Sequence, residues 1–280
     1  MAEVPEQEAT GGNRRVWIVV GIVLVIVAYL VVRSVQKRMI IGGLRSQESA
    51  VRTSSAQKLT EMKILTDVLS RQTVPVKRRM IQTFREMNTE AAADQLIALM
   101  KDRNPTVQNE AQFALYHMKP TSVGKLVGAL ANTDPNVKNR ASVALISIGP
   151  RVLEPVEKDG TKSVPLIDAI SNGAARGGVT RVVTAVGAGA SPWLLAKLSD
   201  EKADAATKAC AIDILGRLGA QDAARPVREM LNAEKVDPPV RAAALVALGR
   251  LRHPDAYGLL NAALADADPS VVNTAIVGLG

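Results

Sequence analysis

Apolar residues recur at helical spacing along most of the chain. In the clearest segment, Val137, Ala141 and Leu145 are four residues apart and therefore share one face of a helix. The same three-position pattern occurs eight times, and its first positions are 25, 31, 30, 41, 29, 33 and 31 residues apart. A recurrence of about 30 residues predicts a solenoid of stacked helices. The other triplets are Val51/Ser55/Leu59, Val76/Met80/Phe84, Val107/Ala111/Leu115, Gly178/Val182/Val186, Thr207/Ala211/Leu215, Val240/Ala244/Leu248 and Val271/Ala275/Leu279.

The helices that contain these triplets, which we call the signature helices, have a recurrent start. In four of them Asp or Asn precedes proline, so that the polar side chain can accept hydrogen bonds from free backbone amides. The caps predicted in this way are Asn104, Asp134, Asp237 and Asp268. Leucine-rich amphipathic segments separate the signature helices, and each must bury its apolar stripe on neighbours. These predicted partner helices span residues 91–101, 122–131, 163–172, 192–199, 223–232 and 255–265.

The repeat has a family resemblance. The motif Pro-x-Val-(Lys/Arg)-x-x-Ala-x-x-Ala-Leu, present over 135–145 and 238–248, resembles the HEAT repeat. It is most similar to the short bacterial type that is also found in bilin-lyase-like proteins. The resemblance covers roughly residues 46–280, and it implies an all-α solenoid of about seven to eight helix pairs.

A run of 17 uncharged residues from Val16 to Val32 precedes the repeats. As a helix it would reach roughly 25 Å, within the range of membrane-spanning segments. We predict a disordered tail at 1–13, a transmembrane helix at 14–33 and a basic juxtamembrane linker at 34–45. A buried core helix and a cleavable signal peptide fit less well, because the thin repeats offer no cavity and no small-x-small cleavage site follows. The expected anchoring residues are Arg14, Arg15, Trp17, Tyr29, Arg33, Lys37 and Arg38.

Basic residues also predict the orientation of this single-pass helix. Two lie on its amino-terminal side, Arg14 and Arg15, and four lie on its carboxyl-terminal side, ending with Arg45. By the positive-inside rule this difference favours a cytoplasmic solenoid. Because the difference is small, a periplasmic or lumenal solenoid stays open as the alternative.

The net charge of +8 is concentrated directly after the apolar run. Residues 33–103 contain 14 basic and 7 acidic residues, whereas residues 163–280 contain 12 of each. The excess could contact anionic lipid headgroups, bind nucleic acid or simply be solvated. Proximity to a membrane favours lipid, while an aromatic content of 2% argues against nucleic acid. Candidate lipid contacts are Arg45, Arg52, Lys77, Arg78 and Arg79.

Two segments are candidates for contact with a protein partner. The longest step between repeats contains a Pro-rich insertion at 149–162, which is either a tolerated surface loop or a binding loop. The eighth signature helix would present an apolar face, so we expect another chain, a second copy or further residues to cover it. The candidate partner contacts are Pro150, Arg151, Glu154, Lys158, Val271 and Leu279.

Candidate catalytic, metal-binding and cofactor-binding residues are not evident. His117, His253 and Cys210 are the only histidines and cysteine, and their spacing fits no zinc site. Glycine-rich 187–191 is predicted to be a turn, and the acidic pair in 266–268 is predicted to cap a helix rather than bind calcium.

Together these features predict a membrane-anchored, non-enzymatic scaffold or adaptor that presents a helical-repeat surface to a protein partner. It would be a subunit of a larger membrane-associated complex and would need no cofactor. The resemblance to bilin-lyase-like proteins implies the alternative, a pigment-processing enzyme.

Overall fold

The computed structural model describes residues 11–158, 161–232 and 235–279. In these ranges the chain forms sixteen α-helices, four short 3-10 segments and one two-stranded hairpin. The helices are α1 (Gly11–Gly43), α2 (Ser49–Glu61), α3 (Leu65–Ser70), α4 (Val74–Met87), α5 (Glu90–Leu99), α6 (Pro105–His117), α7 (Thr121–Ala129), α8 (Pro135–Ile148), α9 (Pro165–Asp168), α10 (Arg176–Val186), α11 (Ser191–Ser199), α12 (Ala205–Leu218), α13 (Ala224–Met230), α14 (Pro238–Arg250), α15 (Ala256–Ala263) and α16 (Pro269–Leu279). The strands are β1 (Val156–Lys158) and β2 (Thr161–Ser163).

The chain divides into two compact units, one ending at Thr83 and the other beginning at Phe84. The prediction of an all-α protein is confirmed apart from the hairpin. Continuity of one solenoid over residues 46–280 stays a prediction.

Helix α1 contains the long apolar run. It begins at Gly11, so it includes the last residues of the predicted tail, while residues 1–10 lie outside the described residues. It also continues through residues 34–43, which the sequence assigned to the linker. Of the run itself, the described side chains are Val20 and residues 23–32. Within the described part of the chain, no helix combines the length and the apolarity needed to cross a membrane, so the predicted span at 14–33 is not supported.

The core of the first unit differs from the predicted register at one helix. In α2 the Val51 side chain is 39% exposed, whereas the neighbouring Arg52 is only 5% exposed. The guanidinium of Arg52 donates to the Thr83 hydroxyl at 2.8 Å and to the backbone carbonyls of Ser46 and Gln47 at 3.1 and 2.7 Å. Three hydrogen bonds make this burial possible, so a charged residue takes the position that the apolar pattern assigned to valine.

The second unit has two layers of helices. Signature helices α6, α8, α10, α12, α14 and α16 each pack against the next one, and the intervening helices pack behind them. Most of the predicted triplets form the contact between layers: Val107, Ala111, Leu115, Val137, Ala141, Leu145, Ala211, Leu215, Ala244 and Leu248 are fully buried.

The helix starts follow the predicted caps with one exception. Asn104 accepts a hydrogen bond from the Thr106 amide, Asp134 from the Asn136 amide and Asp268 from the Ser270 amide, all at 2.8–2.9 Å. The side chain of Asp237 makes no cap. The residue two positions later is Pro239, which has no amide hydrogen, and the next amide donates to the Asp237 backbone carbonyl instead.

The insertion after α8 is more ordered than a simple loop. A 3-10 segment spans Gly149–Leu153 and buries Val152 and Leu153. The hairpin follows, with Val156 opposite Ser163 and Glu157 opposite Lys162. The predicted loop is therefore anchored on the second unit by apolar residues and projects a short hairpin.

Candidate interaction surface

In the second unit the signature helices α6, α8, α10, α12, α14 and α16 pack side by side, and we call their exposed sides the signature face. Side chains bridge neighbouring helices along it. Arg181 of α10 donates to Asn139 of α8 at 2.7 Å, and Arg250 of α14 pairs with Asp213 of α12 at 2.6 Å. Between α10 and α12, the Thr180 hydroxyl lies 3.7 Å from the Cys210 sulfur. These contacts fix the surface side chains in place relative to the packed layer beneath them.

Between α6 and α8 the signature face contains a groove with one aromatic wall. We call it the aromatic groove; it has a volume of about 380 Å³ and is lined by Asn109, Gln112, Phe113, Tyr116, Ala144 and Ser147. Phe113 is 56% exposed, and His117 stacks edge-on against its ring with the centroids 4.3 Å apart. Residues three and four apart are neighbours on a helix, which is why Phe113, Tyr116 and His117 form one cluster.

Two basic side chains lie beside the aromatic groove. The Arg140 guanidinium donates to Gln108, Asn109 and Gln112 at 2.6–3.1 Å, and the Lys119 ammonium lies 4.5 Å from the centre of the Tyr116 ring. Both cations thus contact neutral groups. At the other end of the signature face the arrangement differs, because Arg217 and Arg250 both pair with the Asp213 carboxylate.

A second groove, of about 530 Å³, lies between α14, α15 and α16. Its walls include Leu245, Leu260 and Val277, and Val277 is 82% exposed. Leu245 and Leu260 belong to an apolar cluster that also contains Ala263, Val271 and Ala275. The eighth signature helix is therefore packed on its inner side and apolar on its outer side.

The predicted anchor and lipid-contact residues occupy different environments. Tyr29, Arg33, Lys37, Arg38, Arg45 and Arg78 are exposed, whereas Arg52 and Lys77 are buried. Because buried cations cannot meet lipid headgroups, the prediction of lipid contact is wrong for Arg52 and Lys77. Arg79 is partly buried, and its Nε has no hydrogen-bond partner within the described structure. The side chains of Arg14, Arg15 and Trp17 lie outside the described residues.

Some of the predicted partner contacts are exposed and others are buried. Pro150 is exposed, and so are Arg151 and Glu154, whose charged groups are 4.0 Å apart. Val271 is fully buried in the apolar cluster, so it cannot contact a partner; position i of the triplet faces inward here as it does at Val107 and Val137. Leu279 is half-buried against the same cluster. The Lys158 side chain lies outside the described residues.

The polar residues considered for chemistry have structural surroundings. Among the described residues, no three His, Cys, Asp or Glu side chains come together as metal ligands. Burial raises the pKa of the Cys210 thiol, which keeps it in the less nucleophilic protonated form. A bidentate hydrogen bond from Arg241, at 2.8 and 3.0 Å, lowers the pKa of Asp266. Asp268 caps α16, so the predicted capping role is confirmed for this residue, whereas Asp266 accepts from the Asp268 amide just before the helix.

Part of the sequence that forms these paired helices matches a known family. Residues 190–280 match the family model for HEAT repeats. The resemblance is thereby confirmed for α11–α16, which carry the second groove. No sequence match is found among curated proteins.

Solved structures with similar helical arrangements include human deoxyhypusine hydroxylase in complex with glycerol. It is 19% identical, with 89% of this chain and 96% of that chain covered and a TM-score of 0.33. An engineered protein is 14% identical, with 90% and 89% covered and a TM-score of 0.33. The complex of CpcE and CpcF of phycocyanin lyase from Nostoc is 19% identical, with 87% and 86% covered and a TM-score of 0.30.

The aromatic groove was missed by the sequence analysis. One signal was present: Phe113, Tyr116 and His117 are helically spaced in a chain with an aromatic content of only 2%. The other wall, from α8, depends on how the helices pack and has no sequence signal of its own.

Proposed function

We propose that this protein is a membrane-anchored, non-enzymatic scaffold or adaptor that binds a protein partner, as a subunit of a larger membrane-associated complex. The observation that carries the proposal is the signature face. Its side chains are held by bonds between neighbouring helices, and it presents grooves with apolar walls at both ends. Pre-positioned apolar and aromatic side chains with a polar surround are typical of protein interfaces.

The scaffold proposal is tested by purifying the tagged full chain from its native host in mild detergent and quantifying the proteins that accompany it. A reproducible, stoichiometric protein partner is expected. If the chain purifies alone, the proposal fails. Transfer of a bilin to an acceptor protein by the purified chain would also contradict it, and would establish the pigment-processing alternative that the sequence resemblance suggests.

Membrane anchoring by α1 is part of the same proposal. It rests on the uncharged sequence from Val16 to Val32 and on the exposure of the described aliphatic side chains in that run, such as Leu24 at 63% and Val25 at 69%. Exposure of many adjacent aliphatic side chains to water is unfavourable, and a lipid environment would remove that cost.

Carbonate washing of membranes tests the anchor. The full chain should stay in the membrane pellet, and a variant that lacks residues 14–33 should appear in the supernatant. Release of the full chain into the supernatant would contradict an integral anchor.

We also propose the orientation and the lipid contacts. The four basic residues after the run, Arg33, Lys37, Arg38 and Arg45, favour a cytoplasmic solenoid, and their exposure supports contact with anionic headgroups. In sealed vesicles prepared from host membranes, protease should digest the solenoid only when the cytoplasmic face of the membrane points outward.

The lipid contacts are tested by changing these four residues to Gln. Vesicles of anionic lipid should then retain the reconstituted chain less well, and equal retention would remove the lipid role.

A further inference from the structure

The aromatic groove has the features of a peptide-docking site. The inference that follows rests on the proposed scaffold function, and it specifies the binding surface and the chemistry of the partner. Phe113 is mostly exposed although the layer beneath it is fully packed, with Ala111, Ala114 and Leu115 buried in the same helix. Its ring therefore contributes little to the core, and together with Tyr116 it forms an apolar wall that faces solvent.

The opposite wall is formed by small side chains, those of Ala144 and Ser147. Ala144 lines the groove from α8, and its neighbour Val143 is 41% exposed. Small residues on one wall and aromatic rings on the other leave a space of about 380 Å³. Grooves of this size accommodate one or two bulky apolar side chains of a bound segment.

The charges around the groove indicate what else the bound segment carries. Arg140 is hydrogen-bonded to two of the residues that line the groove, Asn109 and Gln112, and Lys119 lies over a third, Tyr116. Helix α8 contains no acidic residue, and α6 contains one, Glu110, which does not line the groove. A carboxylate from a partner could pair with Arg140 or Lys119, and a cationic partner would be repelled.

We propose that the aromatic groove binds a short segment of a partner protein in which an acidic residue flanks a bulky apolar residue. The apolar side chain packs between the Phe113 and Tyr116 rings and Ala144. The acidic side chain pairs with Arg140 or Lys119 at the edge.

A phage-displayed library of random short peptides, selected on the full chain in detergent, tests this proposal. Recovered peptides should be enriched in Asp or Glu within a few positions of Leu, Ile, Met or an aromatic residue. Their affinity for the Phe113→Glu variant should be weaker by about tenfold or more. Tyr257→Glu is the matched control, because Tyr257 is an aromatic residue with 74% exposure on α15 and its change should leave affinity unaltered.

A second variant tests the charge without altering the groove walls. In Arg140→Gln the amide can keep hydrogen bonds to its neighbours while the positive charge is lost. Selection on this variant should still recover apolar residues but should lose the preference for acidic ones. Arg217→Gln, at an arginine that is already paired with Asp213, should leave the preference unchanged.

Several outcomes would overturn the proposal. Failure to enrich any motif, enrichment of basic peptides, or equal binding to wild type and Phe113→Glu would each contradict it. Self-association of the full chain that is abolished by Phe113→Glu would assign the groove to a second copy instead. If the wild type and Phe113→Glu retain the same native partner, only this inference fails; if the wild type has no partner, the scaffold function itself fails.

Discussion

Asp237 shows how one residue can satisfy a sequence rule and still act differently. It precedes proline as the capped helix starts do, but a second proline removes the amide that its carboxylate would accept from. The helix is started by backbone geometry and by the fixed torsion of proline instead. A cap is therefore predictable only when the acceptor and the amide two or three positions later are considered together.

Ala244 is the position in the same helix that we expect to be most sensitive to charge. It is fully buried where α14 packs. Ala244→Glu should destabilise the protein by roughly 3–5 kcal/mol, since a carboxylate would be buried without a partner. Thermal unfolding followed by circular dichroism measures the effect.

The control is Ala262→Glu, the same change at an exposed position of α15. It should leave the melting temperature nearly unaltered. Equal melting temperatures for the two variants would show that the inward register of the signature helices is wrong.

The burial of Arg52 was not predicted by the apolar pattern. A period of four placed Val51 inside, but hydrophobicity alone gives no indication that the adjacent arginine can reach Thr83 and two backbone carbonyls. Those partners come from elsewhere in the unit. The triplets of α6, α8, α12 and α14 are buried as predicted, whereas in α10 Val179 and Val183 are buried in place of Gly178 and Val186.

At the scale of helices, α12 and α14 approach each other closely at Gly216. A Cβ added to Gly216 would lie 2.8 Å from the Ala247 Cα and 2.9 Å from its Cβ. The absence of a side chain lets the two backbones approach closely. Gly216 is thus a packing residue, although glycine is intrinsically unfavourable in a helix.

Gly216→Ala tests this contact. The substitution gains up to about 1 kcal/mol in helix propensity, but moving a backbone aside costs about 1–3 kcal/mol, so a net loss of stability is expected. Denaturant unfolding gives the free energy. Gly249→Ala is the control, because its added Cβ would meet nothing within 4 Å and the change should be stabilising. Stabilisation by both substitutions would contradict close packing of α12 on α14.

At the scale of the whole molecule, periodicity predicted the helical layers, and the motif predicted the repeat family now matched over residues 190–280. The hairpin in the insertion was not predicted, because strands of three residues carry too little pattern. The aromatic groove was not predicted either, since Phe113 and Ala144 lie on different helices. The spacing of residues along one helix can be read from the local sequence. The shape of the groove depends on how far apart two helices pack, and the local sequence does not give that distance.

The central claim is that the signature face binds another protein. A photoreactive phenylalanine analogue placed at position 113 of the full chain, and separately at position 257 as the control, tests it most directly in living cells. The account predicts a discrete cross-link to a second protein from position 113 that is absent from position 257. Equal cross-linking from both positions, or none from position 113, would contradict it.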